Sequence, residues 1–221
     1  MPNWVINELT CDQPQVLSQL RDFNRIIPMP LILEKTVSGS HSHHFEQLVD
    51  EKMTYCEMLQ RPPAYLRKDE NGNKVYVIGE ADKAAWPSLL RRYYLGLKLY
   101  GHPTWYDWCL YHWGCKRNAK DFEINESGTR CRFETPWSHP MPLVEALSRT
   151  YPQALIEVQF ADETIGYNAG RYTIKDGEYL VPDDIVCGSR EAYEIAFDLW
   201  GGREEYRYDE EEGSYVYIDE D

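Results

Sequence analysis

The chain has 221 residues and a formal net charge of −14, with 43% hydrophobic and 14% aromatic residues. This composition predicts a folded globular protein and excludes a disordered or fibrous one. The negative charge argues against a protein that gains its affinity from many phosphate contacts, because such proteins carry basic faces.

Residues 1–10 contain no basic segment followed by an apolar one, so we expect no secretory signal. No apolar run approaches the ~18 residues that a membrane-spanning helix requires. The six cysteines are scattered along the chain, and without a secretory signal we expect them to be free thiols. These features predict a cytoplasmic protein.

The N-terminal part predicts a strand followed by a helix. Residues 4–11 form the strand, and Pro14 suits the first turn of the helix. Apolar residues at 16, 17, 20 and 23 then follow the spacing of one helical face. Pro28 and Pro30 end this helix, because a proline disfavours the helical conformation of the residue before it.

Residues 28–101 predict a mostly helical insertion. We expect a loop at 38–44, a helix over 45–59, a break at Pro62 and Pro63, and a second helix over 83–100.

The segment that follows returns to strands. The expected elements are a short aromatic helix at 105–113, strands at 120–125 and 129–135, a helix at 141–151, and strands at 154–160 and 167–174. Without the insertion, the order is β-α-β-β-α-β followed by one further strand, and the first six of these elements are typical of the ferredoxin-like split β-α-β fold. We therefore predict an α+β protein in which residues 1–27 and 102–182 form a ferredoxin-like domain with an antiparallel sheet.

Residues 183–221 predict a C-terminal helix and an acidic β-hairpin. Ser189 caps the helix, and alternating segments at 204–208 and 214–218 form the two strands. Residues 203–221 hold nine acids and two arginines, so they carry half of the net charge on under a tenth of the chain.

Several strings of the sequence together resemble one family. They are MPNW at 1–4 with Asn7, YHWGCKRNA at 111–119, FETPWSHP at 133–140 and GYNAG at 166–170. In this order they are similar to the YubB-like family of enterobacterial plasmids, phages and integrated elements. The resemblance covers residues 1–27 and about 103–175, and it implies a ferredoxin-like domain and a mobile-element origin without a known reaction. Val5, Cys115 and Arg117 depart from the residues that members usually have there.

The acidic hairpin is the first candidate site. Its carboxylates can imitate the phosphates of a nucleic acid, and its tyrosines suit an interface. A plainer explanation is a charged edge that prevents strand pairing and keeps the protein soluble. The candidate residues for binding a partner are Glu204, Glu205, Tyr206, Tyr208, Asp209, Glu210, Glu211, Glu212, Tyr215 and Tyr217, and the acids Asp219, Glu220 and Asp221 follow them.

From this pattern we predict a binding protein with no catalytic residues and no cofactor. We expect its partner to be a host protein with a basic surface. For a gene of the mobile-element origin that the resemblance implies, the natural role is counter-defence against a restriction or CRISPR complex.

The first alternative is a nucleic-acid-binding protein that uses the sheet face and a basic patch. The patch consists of Lys116, Arg117, Lys120, Arg130 and Arg132. The tryptophans at 105, 108, 113 and 137 can act as a stacking platform for bases. Their spacing is more typical of a helix seated on a sheet, so we expect them in the core.

The second alternative is a metal-dependent enzyme. His41, His43 and His44 form one candidate metal site, and Cys109, His112, Cys115 and Cys131 form another. A structural zinc site requires four ligands, usually spaced in pairs, which neither set provides. We therefore expect solvated histidines and buried thiols. Asn118 and Ser138 are expected to serve a turn and a helix cap.

Overall fold

The structure, a computed structural model, describes residues 3–218. Its strands and helices in chain order are β1 (Trp4–Cys11), α1 (Pro14–Leu17), α2 (Leu31–Glu34), α3 (Ser40–Asp50), α4 (Tyr55–Leu59), β2 (Tyr65–Lys68), β3 (Lys74–Val77), α5 (Glu80–Tyr100), α6 (Trp105–His112), β4 (Lys120–Ile124), β5 (Arg130–Pro136), α7 (Met141–Thr150), β6 (Ile156–Asp162), β7 (Ala169–Lys175), β8 (Glu178–Val181), α8 (Arg190–Trp200), β9 (Tyr206–Asp209) and β10 (Ser214–Tyr217). Short 3-10 turns lie at Ser18–Arg21, Phe23–Arg25 and Arg203–Glu205.

The centre of the first compact unit is a six-stranded antiparallel sheet with the order β4-β5-β1-β6-β7-β8. The four strands β4, β5, β1 and β6 reproduce the strand order of the ferredoxin-like fold. The predicted α+β fold with a ferredoxin-like antiparallel sheet is therefore confirmed. The strands β7 and β8 extend this sheet at the edge of β6, and the sequence analysis missed β8.

Side chains of β1 alternate between the two faces of the sheet. On one face, Phe133 lies opposite Asn7 and packs edge-on against Phe23, with ring centroids 5.9 Å apart. On the other face, Ile6 and Ala161 pack against α8 through Ile195, Ala196 and Leu199. The C-terminal helix α8 therefore belongs to the same compact unit as the sheet. This unit consists of the described residues up to Pro28 and from Cys109 onward.

The second compact unit is Met29–Trp108. It contains α2 to α5 and the hairpin β2–β3, which the sequence analysis also missed. The indole N–H of Trp86 donates to the carbonyl of Met58 in its core. The buried residues of this core are Phe45, Leu48, Met58, Trp86, Leu90 and Tyr93.

Two predicted elements of this second unit were wrong. The expected loop at 38–44 contains the start of α3, where Ser42 hydrogen-bonds to the backbone of Gly39. The expected helix over 45–59 is two helices, because Thr54 and Glu57 form a capping box that begins α4. The helix expected over 83–100 is present as α5, which begins one turn earlier at Glu80 and contains Pro87. Among residues 3–218, every helix is too short or too polar to cross a lipid bilayer.

Candidate functional site

Four tyrosines of the acidic hairpin lie on one face of its two strands. Tyr206 pairs with Tyr217 and Tyr208 pairs with Tyr215, so strand alternation directs all four to the same side. Tyr206 and Tyr215 pack against Phe197 of α8 at centroid distances of 5.3 and 5.1 Å. Tyr215 is only 7% exposed. These rings attach the hairpin to α8.

Two arginines reinforce this aromatic contact. The Arg203 guanidinium donates to the Tyr215 hydroxyl at 2.9 Å. The Arg190 guanidinium lies 5.0 Å from the centre of the Tyr208 ring and is bonded to Glu194. The prediction that Tyr215 contacts a partner was therefore wrong, because its ring is buried against α8.

The other hairpin tyrosines differ in exposure. Tyr206 and Tyr208 are half-buried by the same packing. Tyr217 is 58% exposed and remains accessible.

Most carboxylates of the hairpin are exposed to solvent, in contrast to the buried ring of Tyr215. Asp209 accepts the backbone N–H groups of Glu211 and Glu212 at 2.9 and 3.2 Å, which fixes the turn. Glu204, Glu205 and Glu210 to Glu212 are exposed. Within residues 3–218, none of these carboxylates forms an ion pair with a lysine or arginine. Asp219, Glu220 and Asp221 lie outside the described residues.

Three cations of the predicted basic patch are engaged in internal contacts. The Lys120 ammonium lies 2.7 Å from Asp121 and 2.6 Å from Glu134, and the hydrogen bonds that it donates to these carboxylates raise the pKa of Lys120. Arg130 forms a 2.7 Å ion pair with Glu8. Arg132 donates to the carbonyl of Leu199 at the end of α8. The sheet face between these cations also carries carboxylates, so it does not form a continuous basic surface.

The remaining two cations of the patch lie beside a cleft, the Trp4–Trp137 cleft. Its cavity has a volume of about 220 Å³ and is lined by Trp4, Lys116, Arg117, Pro136 and Trp137. The Lys116 ammonium lies 4.4 Å from the centre of the Trp137 ring. Trp4 lies opposite Pro136 in the β1–β5 pairing, so the register of these strands builds the cleft.

Trp137 has an unusual backbone conformation. Its φ angle is +70°, in the left-handed region that bulky residues rarely adopt. Its N–H donates to the carbonyl of Asn3 at 2.8 Å, and its carbonyl accepts from the Asn168 side chain at 3.1 Å. These bonds hold the residue in place although its side chain is 42% exposed.

A buried polar network supports the loop that carries Trp137. The Nδ1 of His139 lies 2.7 Å from the Asn7 Oδ1, and its Nε2 lies 2.7 Å from the Tyr172 hydroxyl. Because an amide oxygen only accepts, Nδ1 carries the proton and Nε2 accepts from Tyr172. The ring also stacks on Phe160 at 4.4 Å. Burial lowers the pKa of His139 to about 3.

Sequence analysis missed both this network and the role of Trp4. Asn7 and His139 stand within the strings that carry the family resemblance, but those strings alone give no contact between them. Asn7 also donates to the Thr135 hydroxyl at 2.8 Å, which links β1 to β5. The expected helix cap at Ser138 was wrong, because its hydroxyl donates to the carbonyl of Gly114 at 2.6 Å.

The other tryptophans agree in part with the expected core. Trp108 and Trp113 are buried, as predicted. Trp113 donates to the carbonyl of Ile27 and packs edge-on against Phe23. The Asn118 side chain accepts from the Phe23 N–H at 2.9 Å and donates to Asp22 at 2.8 Å, so it joins two distant segments of the chain rather than the two ends of a local turn.

The two candidate metal sites do not assemble. His41 lies 3.0 Å from Asp82, whereas His44 bonds to the carbonyl of Arg61, so their rings point to different partners. His43 is exposed. Within the described part of the chain, no three His, Cys, Asp or Glu side chains are arranged to hold a metal ion.

The cysteines are free thiols, and those of the predicted cluster are buried. Desolvation raises the pKa of Cys109, Cys115 and Cys131 to about 12 each. These thiols are therefore protonated at neutral pH, which disfavours nucleophilic chemistry.

Comparison with known proteins gives a structural likeness over most of the chain and a family match to its C-terminal half. No curated protein matches the sequence. A crystal structure of the protein Api92 from Yersinia pseudotuberculosis is similar with 12% identity and a TM-score of 0.40, over 82% of this chain and 97% of that chain. Residues 112–217 match a family model, so this part of the chain is similar to the ferredoxin-like domain in Api92-like proteins.

Proposed function

We propose that this chain is a non-catalytic binding protein whose acidic hairpin engages a basic surface on a host protein. The observation that carries this proposal is the set of exposed hairpin carboxylates that have no cationic partner within residues 3–218. Carboxylates already neutralised by the protein's own lysines and arginines would have little attraction left for a partner.

The attachment of the hairpin to α8 adds to this argument. Tyr215 and Phe197 pack edge-on, and Arg203 bonds to the Tyr215 hydroxyl, so the hairpin has a fixed seat. The turn is fixed in addition by the two amides that Asp209 accepts. Charges on a fixed support lose less conformational entropy on binding than charges on a flexible tail.

The partner that fits is a host protein that itself binds nucleic acid, because its phosphate-binding groove displays clustered lysines and arginines. The hairpin then occupies this groove in place of the nucleic acid. The mobile-element origin implied by the YubB-like resemblance makes counter-defence the natural role, with a restriction or CRISPR complex of the bacterial cytoplasm as the target.

The simpler alternative is that the charges only keep the chain soluble and prevent unwanted strand pairing. A charge-neutral hairpin distinguishes the two. The test variant replaces Glu204, Glu210, Glu211 and Glu212 by Gln. Asp209 is kept, because its side chain fixes the turn.

The matched control removes four exposed charges elsewhere in the same unit. It replaces Glu126 and Glu178 by Gln and Asp184 and Asp198 by Asn. Both variants lose the same net charge, so a general effect of charge on solubility appears in both.

The measurement is inhibition of DNA cleavage by restriction and CRISPR effector complexes purified from an enterobacterial host. The unaltered protein is expected to inhibit, with an inhibition that weakens as salt increases. The hairpin variant is expected to need about ten times more protein, and the control about the same amount as the original chain. Equal inhibition by the hairpin variant at low salt overturns the proposal, as does a lack of inhibition by the original chain.

A further inference from the structure

The function proposed above uses only the acidic hairpin and does not involve the Trp4–Trp137 cleft. We propose that this cleft binds a nucleotide, with the base against the two indoles and the phosphate on Lys116 and Arg117. The site is independent of the hairpin, so the failure of one proposal leaves the other standing.

The walls of the cleft suit a planar ring. Trp4, Pro136 and Trp137 supply apolar surfaces around a cavity of about 220 Å³. This volume admits one ring system of the size of a base and is smaller than the usual pocket for a drug-sized ligand. Indoles bind bases by stacking, without a requirement for a particular base.

The cations of the cleft are placed for an anionic group on that ring. The Lys116 ammonium stays beside the Trp137 ring, at 4.4 Å from its centre. Arg117 is exposed and has no ion pair within residues 3–218. A guanidinium can donate two parallel hydrogen bonds to a phosphate.

Lys120 has a different part in the cleft. Its ammonium lies 4.4 Å from the centre of the Trp4 ring, but Asp121 and Glu134 already neutralise it. We therefore assign to Lys120 the role of holding the Trp4 ring in position, and not that of binding the phosphate.

The backbone of Trp137 fixes how its ring lines the cleft. A tryptophan at φ +70° is strained, and glycine would adopt this conformation freely. The conformation is held by hydrogen bonds from the Trp137 amide to Asn3 and from the Asn168 side chain to the Trp137 carbonyl, while the ring itself stays exposed.

A nucleotide fits these features better than a long nucleic acid duplex. The chain carries a net charge of −14, which repels an extended polyanion. Two cations next to an aromatic cleft suffice for one phosphorylated base. The same chemistry is offered by a free mononucleotide and by one unstacked nucleotide of a single strand.

The test is calorimetric titration with AMP, adenosine and an eight-residue oligothymidylate. We expect AMP or the oligonucleotide to bind, and adenosine to bind at least tenfold more weakly than AMP. Trp137→Gly and Arg117→Gln are each expected to weaken binding at least tenfold. Arg207→Gln, an exposed arginine outside the cleft, is the control and is expected to leave binding unchanged.

The outcomes separate the sources of the ligand. Binding of AMP supports a free mononucleotide, and binding of the oligonucleotide alone supports a single strand. Binding that survives in Trp137→Gly, equal binding of AMP and adenosine, or no binding at millimolar AMP and oligonucleotide overturns the proposal. Circular dichroism checks the fold of each variant. Trp137→Asn, which also tolerates the left-handed conformation, replaces Trp137→Gly if that variant is unfolded.

Discussion

The acidic hairpin and the Trp4–Trp137 cleft combine aromatic rings with charged groups in opposite ways. In the hairpin, Tyr215 is buried against Phe197, while the neighbouring carboxylates are exposed and lack a cationic partner within residues 3–218. In the cleft, the Trp137 ring is exposed and the Lys116 ammonium lies beside it. The rings of the hairpin therefore stabilise the fold, whereas those of the cleft are available for a ligand.

This difference shows why aromatic residues next to charges do not identify an interface by themselves. Both regions have the same residue classes close together in sequence. Burial decides which of them, ring or charge, remains exposed to solvent. The following predictions test this contrast, from the largest expected effect to the smallest.

Acid should destabilise the support of the cleft through His139. Its pKa is about 3 in the folded protein and about 6.5 in an unfolded chain, so between these values the unfolded chain binds more protons. The contribution of His139 to stability is full above pH 6.5 and declines as the pH falls to 3, by about 4 kcal/mol in total. Urea unfolding at several pH values measures it.

Comparison with His139→Gln isolates this effect from that of the carboxylates. The variant is expected to be less stable at pH 7, because Asn7 and Tyr172 lose well-placed partners. Its unfolding free energy should then fall about 4 kcal/mol less than that of the original chain between pH 7 and 3. Parallel pH curves for the two proteins would contradict the assigned network.

The hairpin tyrosines should divide into a structural and an accessible class. Tyr215→Ala removes a buried ring and a bond from Arg203, and we expect a loss of about 3 kcal/mol in unfolding free energy. Tyr217→Ala removes a ring that is 58% exposed, and we expect a loss below about 1 kcal/mol. Similar losses in denaturant unfolding would contradict the contrast within this hairpin.

Substitutions of Trp137 should have small effects on stability. Trp137→Ala keeps the strained φ of +70°, whereas Trp137→Gly relieves it. The glycine variant is therefore expected to be about 1 kcal/mol more stable than the alanine variant. A Trp137→Ala variant that is more stable than Trp137→Gly in chemical denaturation would contradict the left-handed backbone conformation at residue 137.

The sequence predicted much of the fold because its signals are local. The alternation in β1 and β6 and the order of the elements suffice for the ferredoxin-like sheet. The start of α3 was missed, because a run of serine and histidine has a weak helical preference. The tertiary packing of the second unit decides in favour of the helix there.

The candidate site was less predictable, because its contacts span the length of the chain. Trp4 and Pro136 are opposite each other only through the β1–β5 register, and no local pattern determines that register. His139 meets Asn7 and Tyr172 for the same reason. Among the tyrosines, alternation predicts a shared face, but the presence of α8 beneath that face is not visible in the hairpin sequence.

The packing of the hairpin on α8 limits which changes of sequence and length the chain tolerates. Shortening the chain before β9 would uncover Tyr193 and Phe197, which the rings of Tyr206 and Tyr215 cover. Such a truncated protein would expose an apolar surface on α8 and aggregate. It would therefore be a poor negative control for partner binding. Single exchanges among the turn glutamates have no such penalty. The fold therefore tolerates changes at the anionic turn, whereas it does not tolerate loss of the hairpin strands.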